Sequence, residues 1–154
     1  MDKIKSILTF KDYVVKDITF RLNPHYKNYR ESAPIKCQIK TNHHVHEEND
    51  DLIMVAINVQ LFEENFIENK EPFYLNLIIE GFFELKAGDG NPDLVDPDSI
   101  EKIVKSNTVA ILFPYVRNVV TQITMLANIA PVILPTINTF KLIEEADNLK
   151  DESE

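Results

Sequence analysis

The stretch "ILFPYVRNVV", residues 111–120, places Pro114 within the most apolar segment of the chain, where the residue spacing is helical. Proline lacks a backbone N–H, and its ring clashes with the carbonyl four residues earlier, which costs ~3 kcal/mol inside a helix. The first turn of a helix has no such hydrogen bonds to lose. We therefore predict a long helix that is capped by Asn107 or Thr108, with Pro114 near its start and a bend at residues 113–114.

The segments around this stretch also have helical or extended patterns. The long helix is predicted from apolar residues that recur every three or four positions: Val109, Leu112, Phe113, Val116, Val120, Ile123 and Ala127. Before it, Asp96 as N-cap and Pro97 as first helical residue predict a separate short helix. After it, Pro131 and Pro135 predict an extended linker, and a last helix is expected over roughly residues 138–148.

Strand patterns fill the first two-thirds of the chain. Apolar and polar residues alternate over residues 17–22, 35–40 and 55–61, and a fourth strand is predicted over residues 73–85. The first strand is expected to turn one apolar face to the core, formed by Ile18, Phe20 and Leu22. Gly81 predicts a bulge or a close approach of a neighbouring segment. Strands followed by helices favour an α+β fold, in which helices pack on an antiparallel sheet.

Length and composition indicate one globular domain. The chain has 154 residues, with 44% apolar and 27% charged residues, so it can bury a core. We expect a single domain over residues 1–148 and an acidic flexible tail over residues 149–154. Cys37 is the one cysteine, which is typical of a reducing compartment. The apolar runs read as too short or too interrupted for a bilayer, so a cytoplasmic location without membrane insertion is expected.

The balance of charges bears on partners. The 25 acidic residues outnumber the 16 basic ones, which gives a net charge of -9. Such a surface repels phosphate backbones, so we predict no nucleic-acid binding. It attracts basic polypeptides, although acidic residues also serve simply to keep a protein soluble.

Histidines form the one chemically suggestive cluster, "NHHVHEE" at residues 42–48. On a strand, His44 and His46 share a face and could share a zinc or nickel ion. Because a catalytic site usually needs three protein ligands and a structural site four, we predict no metal site. Whether the group of His43, His44 and His46 binds a metal nevertheless stays open, beside the plain interpretation of a polar strand end next to a turn.

Other catalytic signatures are absent from the sequence, so we predict neither an enzyme nor a bound cofactor. There is no G-x-S-x-G, no phosphate-binding loop, and no pair of acids set in an apolar surround. The sequence has instead a surplus of aromatic residues on both strand parities: Phe62, Phe66, Phe73, Tyr74 and Phe82. This surplus favours either a two-sided core completed by oligomer packing or an exposed groove that binds other chains.

Several segments resemble the SecB export-chaperone family, whose helix has an I-L-F-P-Y-x-R run. The matching residues are Ile111, Leu112, Phe113, Pro114, Tyr115 and Arg117. "KDITF" at residues 16–20 is similar to the first strand of the family, and "GFFELKAG" at residues 81–88 to its last strand. "APVILPTIN" at residues 130–138 is similar to the linker before its final helix.

The resemblance implies a fold and a function. The implied fold is a four-stranded antiparallel sheet with a long helix and shorter helices packed on one face, assembled as a homotetramer. The implied function is ATP-independent holding of unfolded polypeptides, in protein export or in protection of a specific client such as an antitoxin. The alternative is an interaction module of the same fold that binds one folded partner.

Site residues also follow from the resemblance. It implies a client-binding groove lined by Phe62, Phe73, Tyr74, Phe82, Ile129, Val132 and Leu134. It implies helix or oligomer packing by Leu112, Phe113, Tyr115 and Val116. In the family an acidic patch on the sheet docks the translocase ATPase SecA. Here Asp17 matches that patch, whereas Arg21 and Asn76 replace acids, so we expect docking to SecA to be weakened.

Overall fold

The computed structural model describes residues 8–49, 51–86 and 97–153. The elements in these ranges are β1 Leu8–Leu22, β2 Cys37–Val45, β3 Leu52–Leu61, β4 Phe73–Leu85, α1 Pro97–Leu126 and α2 Thr139–Asp151. The strands form one antiparallel sheet in the order β1-β4-β3-β2. Both helices pack on one face of it, which confirms the predicted α+β class.

The two central strands form the core, because β3 alternates between buried and partly covered residues along its length and β4 does so from Leu75 onward. In β3 the inward residues Val55, Ile57 and Val59 are fully buried, while their neighbours are only partly covered. The register sets Ile57 opposite Ile79 and Val59 opposite Leu77, so the inward rows of β3 and β4 lie side by side. The predicted bounds of β4 are confirmed, and those of β3 are short by three residues at its start.

The first strand differs from its prediction. β1 has 15 residues and begins at Leu8, well before the expected segment. Ile18 is 48% exposed and Leu22 is also exposed, so the expectation that they face a closed core is wrong. Phe20 alone is partly buried, and its ring stacks on Phe73 at 5.6 Å. The reason is that β1 is an edge strand, with a sheet neighbour on only one side.

The predicted pair of helices is a single helix. α1 runs without interruption from Pro97 to Leu126, so a helix start at Asn107 or Thr108 is wrong, and Pro114 lies in the helix interior. Pro97 is the first residue of α1, as predicted, and Asp96 lies outside the described residues.

Pro114 is tolerated in the helix interior because the main-chain carbonyl that it leaves without a donor is exposed to water. Pro114 and Ala110, the residue whose carbonyl loses its donor, are both exposed, so water can hydrate that carbonyl. On the opposite side Leu112, Phe113 and Val116 are buried against the sheet. Burying each such side chain contributes about 1.5–3 kcal/mol, which together exceeds the penalty of one proline.

Gly81 lies where α1 comes closest to β4. A Cβ atom at this residue would lie 3.0 Å from both terminal methyl carbons of Leu112 and 3.1 Å from the Phe83 ring. Gly81 pairs in regular register with Tyr13 and Val55, so it marks a close approach and no bulge.

Two further expectations concern the ends and surroundings of the helices. The segment Glu101–Leu126 is long and apolar enough to cross a membrane by length and composition, contrary to the expectation of interrupted runs. Core helices of soluble proteins pass the same test, and α1 buries an apolar side on the sheet. The predicted acidic tail overlaps the last turn of α2, which ends at Asp151. The division into a domain and a tail stays a prediction.

Candidate functional site

The segment between α1 and α2, residues 129–138, is here called the linker. α1 ends where Asn128 adopts a φ of 56°, a left-handed conformation that asparagine tolerates. Pro131 and Pro135 then exclude a helix, and the linker has no regular secondary structure until Asn138 caps α2 through its side chain.

Polar side chains of α1 hold the main chain of the linker. The Thr121 hydroxyl donates to the Val132 carbonyl at 2.7 Å, and the Arg117 Nε–H donates to the Leu134 carbonyl at 2.8 Å. In the other direction, the Val132 N–H donates to the Thr124 Oγ1 at 3.0 Å. These three bonds, here called the α1 ladder, fix the linker in an extended conformation along the helix.

A second irregular segment, residues 23–36, faces the linker and is here called the crossing loop. Asn23 is buried at its start, where its amide donates to the Glu71 carbonyl at 2.9 Å. Near its end, Lys36 forms an ion pair with Glu71 at 2.6 Å, which raises the pKa of Lys36. The Ala130 N–H donates to the Tyr29 carbonyl at 2.8 Å, which joins this loop to the linker.

A groove of about 120 Å³ lies between the two segments, with Pro72 and Phe73 beside them. Its lining is Tyr29, Glu31, Ser32, Ala33, Ile35, Pro72, Phe73, Ile129, Ala130, Pro131, Val132 and Ile133. Most of these residues are apolar, and Glu31 and Ser32 add polar groups. The groove holds no arrangement of acid, base and nucleophile, so what it offers chemically is a binding surface for an apolar or amphipathic segment.

Three of the seven residues predicted to line a groove meet here: Phe73, Ile129 and Val132. Leu134 is buried one step further along the linker, and Phe62 packs edge-on against Phe73 at 5.1 Å. Except for Phe82, all seven are buried in this chain, so Phe73, Ile129 and Val132 line the groove without forming an open surface. Tyr74 lies on the opposite face of the sheet, away from the groove. Whether they bind clients stays a prediction.

The sequence reasoning missed Ile133, an exposed apolar residue in the lining of the groove. Ile133 is 72% exposed, although it stands between the buried Val132 and Leu134. The signal for it was present, because in an extended segment alternate residues face opposite sides. Two inward neighbours therefore require that the residue between them faces out.

The chain is similar in sequence to known proteins over nearly its whole length. The sequence profile described as "Preprotein translocase subunit SecB" matches residues 2–148. The chain belongs to the SecB family. A relative from Methanocaldococcus jannaschii, named "Uncharacterized protein MJ0357", is 33% identical over 149 residues, covering 97% of this chain and 90% of the relative. Family membership confirms the resemblance and supports a chaperone-type role, since SecB proteins are chaperones.

A solved structure shows the same fold. It is the Mycobacterium tuberculosis Rv1957 SecB-like chaperone in complex with a ChAD peptide from the Rv1956 HigA1 antitoxin. The TM-score is 0.65 at 12% sequence identity, with 84% of this chain and 90% of that chain covered. At this identity the likeness supports the SecB fold of the sheet and helices, and it makes no statement about this chain's client.

The face of the SecB sheet opposite α1 carries the residues predicted for docking to SecA. Asp17 and Arg21 pair with Ile78 and Tyr74, so they share this outer face. The guanidinium carbon of Arg21 lies 5.6 Å from the centre of the Tyr74 ring, and the Phe66 ring stacks on the Tyr74 ring with the ring centres 6.2 Å apart. Burial raises the pKa of Tyr74.

Asn76 and Phe82 also belong to the outer-face parity of β4. The Asn76 side-chain carbonyl accepts from the Asn58 amide at 2.9 Å, so it is engaged within the sheet. Phe82 lies in a separate shallow cleft at the end of the sheet, which is lined by Lys11, Phe82, Phe83 and residues 44–48 and 52–54. The outer face therefore has Asp17 together with the Arg21 cation and the Asn76 amide, and its Glu80 carboxylate is paired with Lys16.

The histidines serve structure. His43 is part-buried, and its Nε2 lies 2.9 Å from the Thr108 hydroxyl and 3.3 Å from the Lys105 carbonyl, which links β2 to α1. Burial lowers the pKa of His43 to about 4. His46 accepts a hydrogen bond from the Glu48 N–H at 3.2 Å. Within the described ranges, no group of three or more His, Cys, Asp or Glu residues is arranged to hold a metal.

The helix residues named for packing divide into two groups. Leu112, Phe113 and Val116 are buried against the sheet. Tyr115 is at the border of the covered area, where its ring lies 4.6 Å from that of Tyr13 and 5.4 Å from that of Phe10. The first three therefore pack within this chain, and Tyr115 also reaches solvent.

Proposed function

We propose that this SecB family chain is an ATP-independent holdase, which binds unfolded or non-native polypeptide segments in the groove between the linker and the crossing loop. The observation that carries the proposal is the groove itself: an apolar lining from Phe73 and Ile35, with Ile133 exposed at its edge. Such a surface binds by apolar area and tolerates varied side chains, as a chaperone for unfolded chains requires.

The charge of the chain supports the kind of client. With a net charge of -9, the surface attracts basic polypeptides and repels both nucleic acids and further copies that approach at random. Glu31 contributes a carboxylate in the groove lining. We propose clients with apolar segments flanked by basic residues, in the cytoplasm, without a cofactor.

We further propose that the chain assembles as a homotetramer. The support is apolar area that one chain leaves uncovered on α1 and β1: Val14, Val15, Ile18, Leu22, Ile103, Ile111, Tyr115, Met125 and Leu126. Apolar area of this extent on a soluble protein usually packs against another subunit. Light scattering coupled to size-exclusion chromatography would test the mass, and a monomer at micromolar concentration would refute the assembly.

General export and protection of a dedicated client place different demands on the outer face of the sheet. Export through SecA requires an acidic patch, and the patch here retains Asp17 while Arg21 and Asn76 are engaged in other contacts. We therefore favour protection of a dedicated client, such as an antitoxin, over general export. The Rv1957 SecB-like chaperone, which has the same fold, is in complex with an antitoxin peptide in its solved structure.

Aggregation of an unfolded client tests the holdase. Purified protein should suppress the light scattering of a chemically unfolded model protein diluted into buffer, in the absence of nucleotide. The matched variant Ile133→Asp puts a charge at the exposed edge of the groove without touching a buried residue, and it should weaken suppression. Failure to suppress aggregation at several-fold excess would reject the proposal.

A second function rests on the burial of the predicted groove residues. Because Phe62, Phe73 and Tyr74 are sealed within the chain, the open apolar area beside the groove is small. A small, fixed site suits an interaction module that binds one folded partner. Competition separates the two functions, because an unrelated unfolded chain should displace a bound client from a holdase and should not displace a folded partner from such a module.

A further inference from the structure

The shallow cleft at the end of the sheet, here called the end cleft, is built from side chains of the outer face. Met54 pairs with Phe82 across β3 and β4, and Leu52 lies one row nearer the end of the sheet. On the other side of β3, His44 pairs with Met54. The cleft has a volume of about 740 Å³, which is within the ~300–1,000 Å³ range of ligand-binding sites.

The floor of the end cleft is apolar and open. Met54 and Phe82 are only partly covered, and Leu52 is 37% exposed. α1 packs on the other face of the sheet, against Gly81, so it leaves these side chains uncovered. An open apolar patch with a polar rim is typical of a contact with another molecule.

The turn between β2 and β3 forms one rim of the cleft, and local hydrogen bonds fix its shape. The His46 N–H donates to the Leu52 carbonyl at 2.9 Å, and the Glu48 N–H donates to the His46 Nδ1 at 3.2 Å. Glu47 and Glu48 both belong to the lining of the cleft and are exposed. In the described part of the chain, neither carboxylate has an ion-pair partner.

The opposite rim has a cation that is already paired. The Lys11 Nζ lies 2.7 Å from the Glu84 Oε2, and the hydrogen bond from Lys11 lowers the pKa of Glu84. The unpaired formal charge of the lining is therefore that of Glu47 and Glu48. Together with the net charge of -9 of the whole chain, these two carboxylates attract a cationic group.

The main chain below the end cleft is not available to a partner. β3 and β4 are the central strands of the sheet, and each has a neighbouring strand on both sides. A segment that lies on this face therefore meets side chains and cannot add a strand. An amphipathic helix meets this requirement, because it presents an apolar face with charged residues beside it.

We propose that the end cleft docks a basic amphipathic helix of a partner protein. Apolar side chains of the helix pack on Leu52, Met54 and Phe82. Its lysine or arginine side chains pair with Glu47 and Glu48. Charge complementarity of this kind selects a partner and speeds its approach. The inference goes beyond the holdase and does not depend on client binding in the groove.

The end cleft is separate both from the groove and from the region predicted to dock SecA. Phe73, in the lining of the groove, lies ~30 Å from Phe82 along β4 and on the opposite face of the sheet. Asp17 pairs with Ile78, which lies ~13 Å from Phe82 on the same face. One chain can therefore hold a client and the partner helix at the same time.

Methionine methyl signals measure occupancy of the end cleft by NMR. The probe is a short helical peptide of leucine and lysine with all leucines on one face, added to protein with isotope-labelled methionine methyl groups. Met54 lies in the cleft, and Met125 is exposed on α1 as an internal control. We expect the Met54 signal to shift with a Kd of roughly 10–100 μM and the Met125 signal to stay in place. The same peptide with glutamate in place of lysine should leave both signals unchanged.

Variants of the rim and the floor test the two parts of the contact. The rim variant, Glu47→Lys with Glu48→Lys, should weaken binding of the peptide roughly tenfold at low salt. The matched control, Glu144→Lys with Glu145→Lys, makes the same change of net charge at exposed residues of α2 and should bind like the wild type. Met54→Gln should weaken binding several-fold and Met54→Leu should not, and urea denaturation shows that each variant is folded.

The proposal is overturned if Met54 does not respond at millimolar peptide, or if the glutamate peptide gives the same response. It is also overturned if the control variant loses as much binding as the rim variant, because net charge alone would then explain the binding. A Met54 signal that shifts with protein concentration alone would identify a second copy of this chain as the occupant, and would likewise overturn it. Ile133→Asp should keep the Met54 response, so loss of aggregation suppression with an intact response rejects the holdase and leaves this inference standing.

Discussion

The guanidinium carbon of Arg21 lies 5.6 Å from the centre of the Tyr74 ring, on the outer face of the sheet, for which the family resemblance predicts docking to SecA. This cation–π contact contributes about 0.5–1 kcal/mol at an exposed site. It also places a positive charge on the same face of the sheet as Asp17, where an acidic patch would need a negative one. The Arg21–Tyr74 contact therefore both packs the outer face and makes that face less able to bind a basic segment.

Restoring acids on this face should restore binding of a basic segment. The double variant Arg21→Glu with Asn76→Glu is expected to bind a lysine-rich peptide roughly tenfold more tightly than the wild type at low salt, and less so at high salt. Arg21→Gln with Asn76→Gln is the matched control, since it removes the same contacts without adding charge. Equal affinities of the two variants for the peptide would contradict the electrostatic argument.

The contact between β4 and α1 predicts the effect of a single methyl group. Gly81→Ala should lower the free energy of unfolding by about 1–3 kcal/mol, because the new Cβ would lie 3.0 Å from a fully buried Leu112. Urea denaturation measures the change. In a double-mutant cycle, Leu112→Ala should make the second change cheaper, so that the two costs sum to less than additive. Additive costs would show that the crowding lies elsewhere.

Replacement of Pro114 should stabilise the fold, whereas replacement of Gly81 should destabilise it. Pro114→Ala should raise the free energy of unfolding by roughly 1–2 kcal/mol, because the new N–H can bond to the Ala110 carbonyl while the unfolded chain gains some freedom. The residue is exposed, so no packing is lost. Asn107→Ala, at another exposed site of α1, controls for helix propensity alone and should give a smaller gain. A loss of stability in Pro114→Ala would contradict this account of the cost of Pro114.

Sequence reasoning succeeded where a residue's surroundings are set by its near neighbours. The bounds of β4 follow from its own alternation, and the extended linker follows from Pro131 and Pro135. It failed where distant contacts decide. α1 continues through Pro114 because apolar burial on the sheet outweighs a local penalty. Ile18 is exposed because of its place on an edge strand, which alternation cannot reveal.

The candidate site was only partly predictable for the same reason. The family resemblance selected Phe73, Ile129 and Val132, which do line the groove. The α1 ladder could not be read from the sequence, because its bonds join residues up to 17 positions apart and depend on which face of α1 meets the linker. Likewise, the sequence does not reveal that Phe66 covers the Tyr74 ring. This contact forms because the connection between β3 and β4 folds over Tyr74.

His43 predicts how stability depends on pH. Its pKa is lowered to about 4 in the folded protein by burial, against 6.5 for an ordinary histidine, so the unfolded chain binds a proton first as the pH falls. The contribution of neutral His43 is therefore complete above pH 6.5 and is lost between about pH 6.5 and 4, to a total of up to about 3 kcal/mol.

Urea denaturation across this pH range, with and without His43, measures that loss. His43→Gln cannot take up the proton, and we expect its stability to vary less between pH 6.5 and 4 than that of the wild type, although its stability at pH 7 is lower because the packing against Thr108 changes. His44→Gln is the matched control: His44 is exposed on the next position of the strand, so this variant should keep the wild-type dependence. The same slope in all three proteins would show that carboxylates, and not His43, set the response to acid.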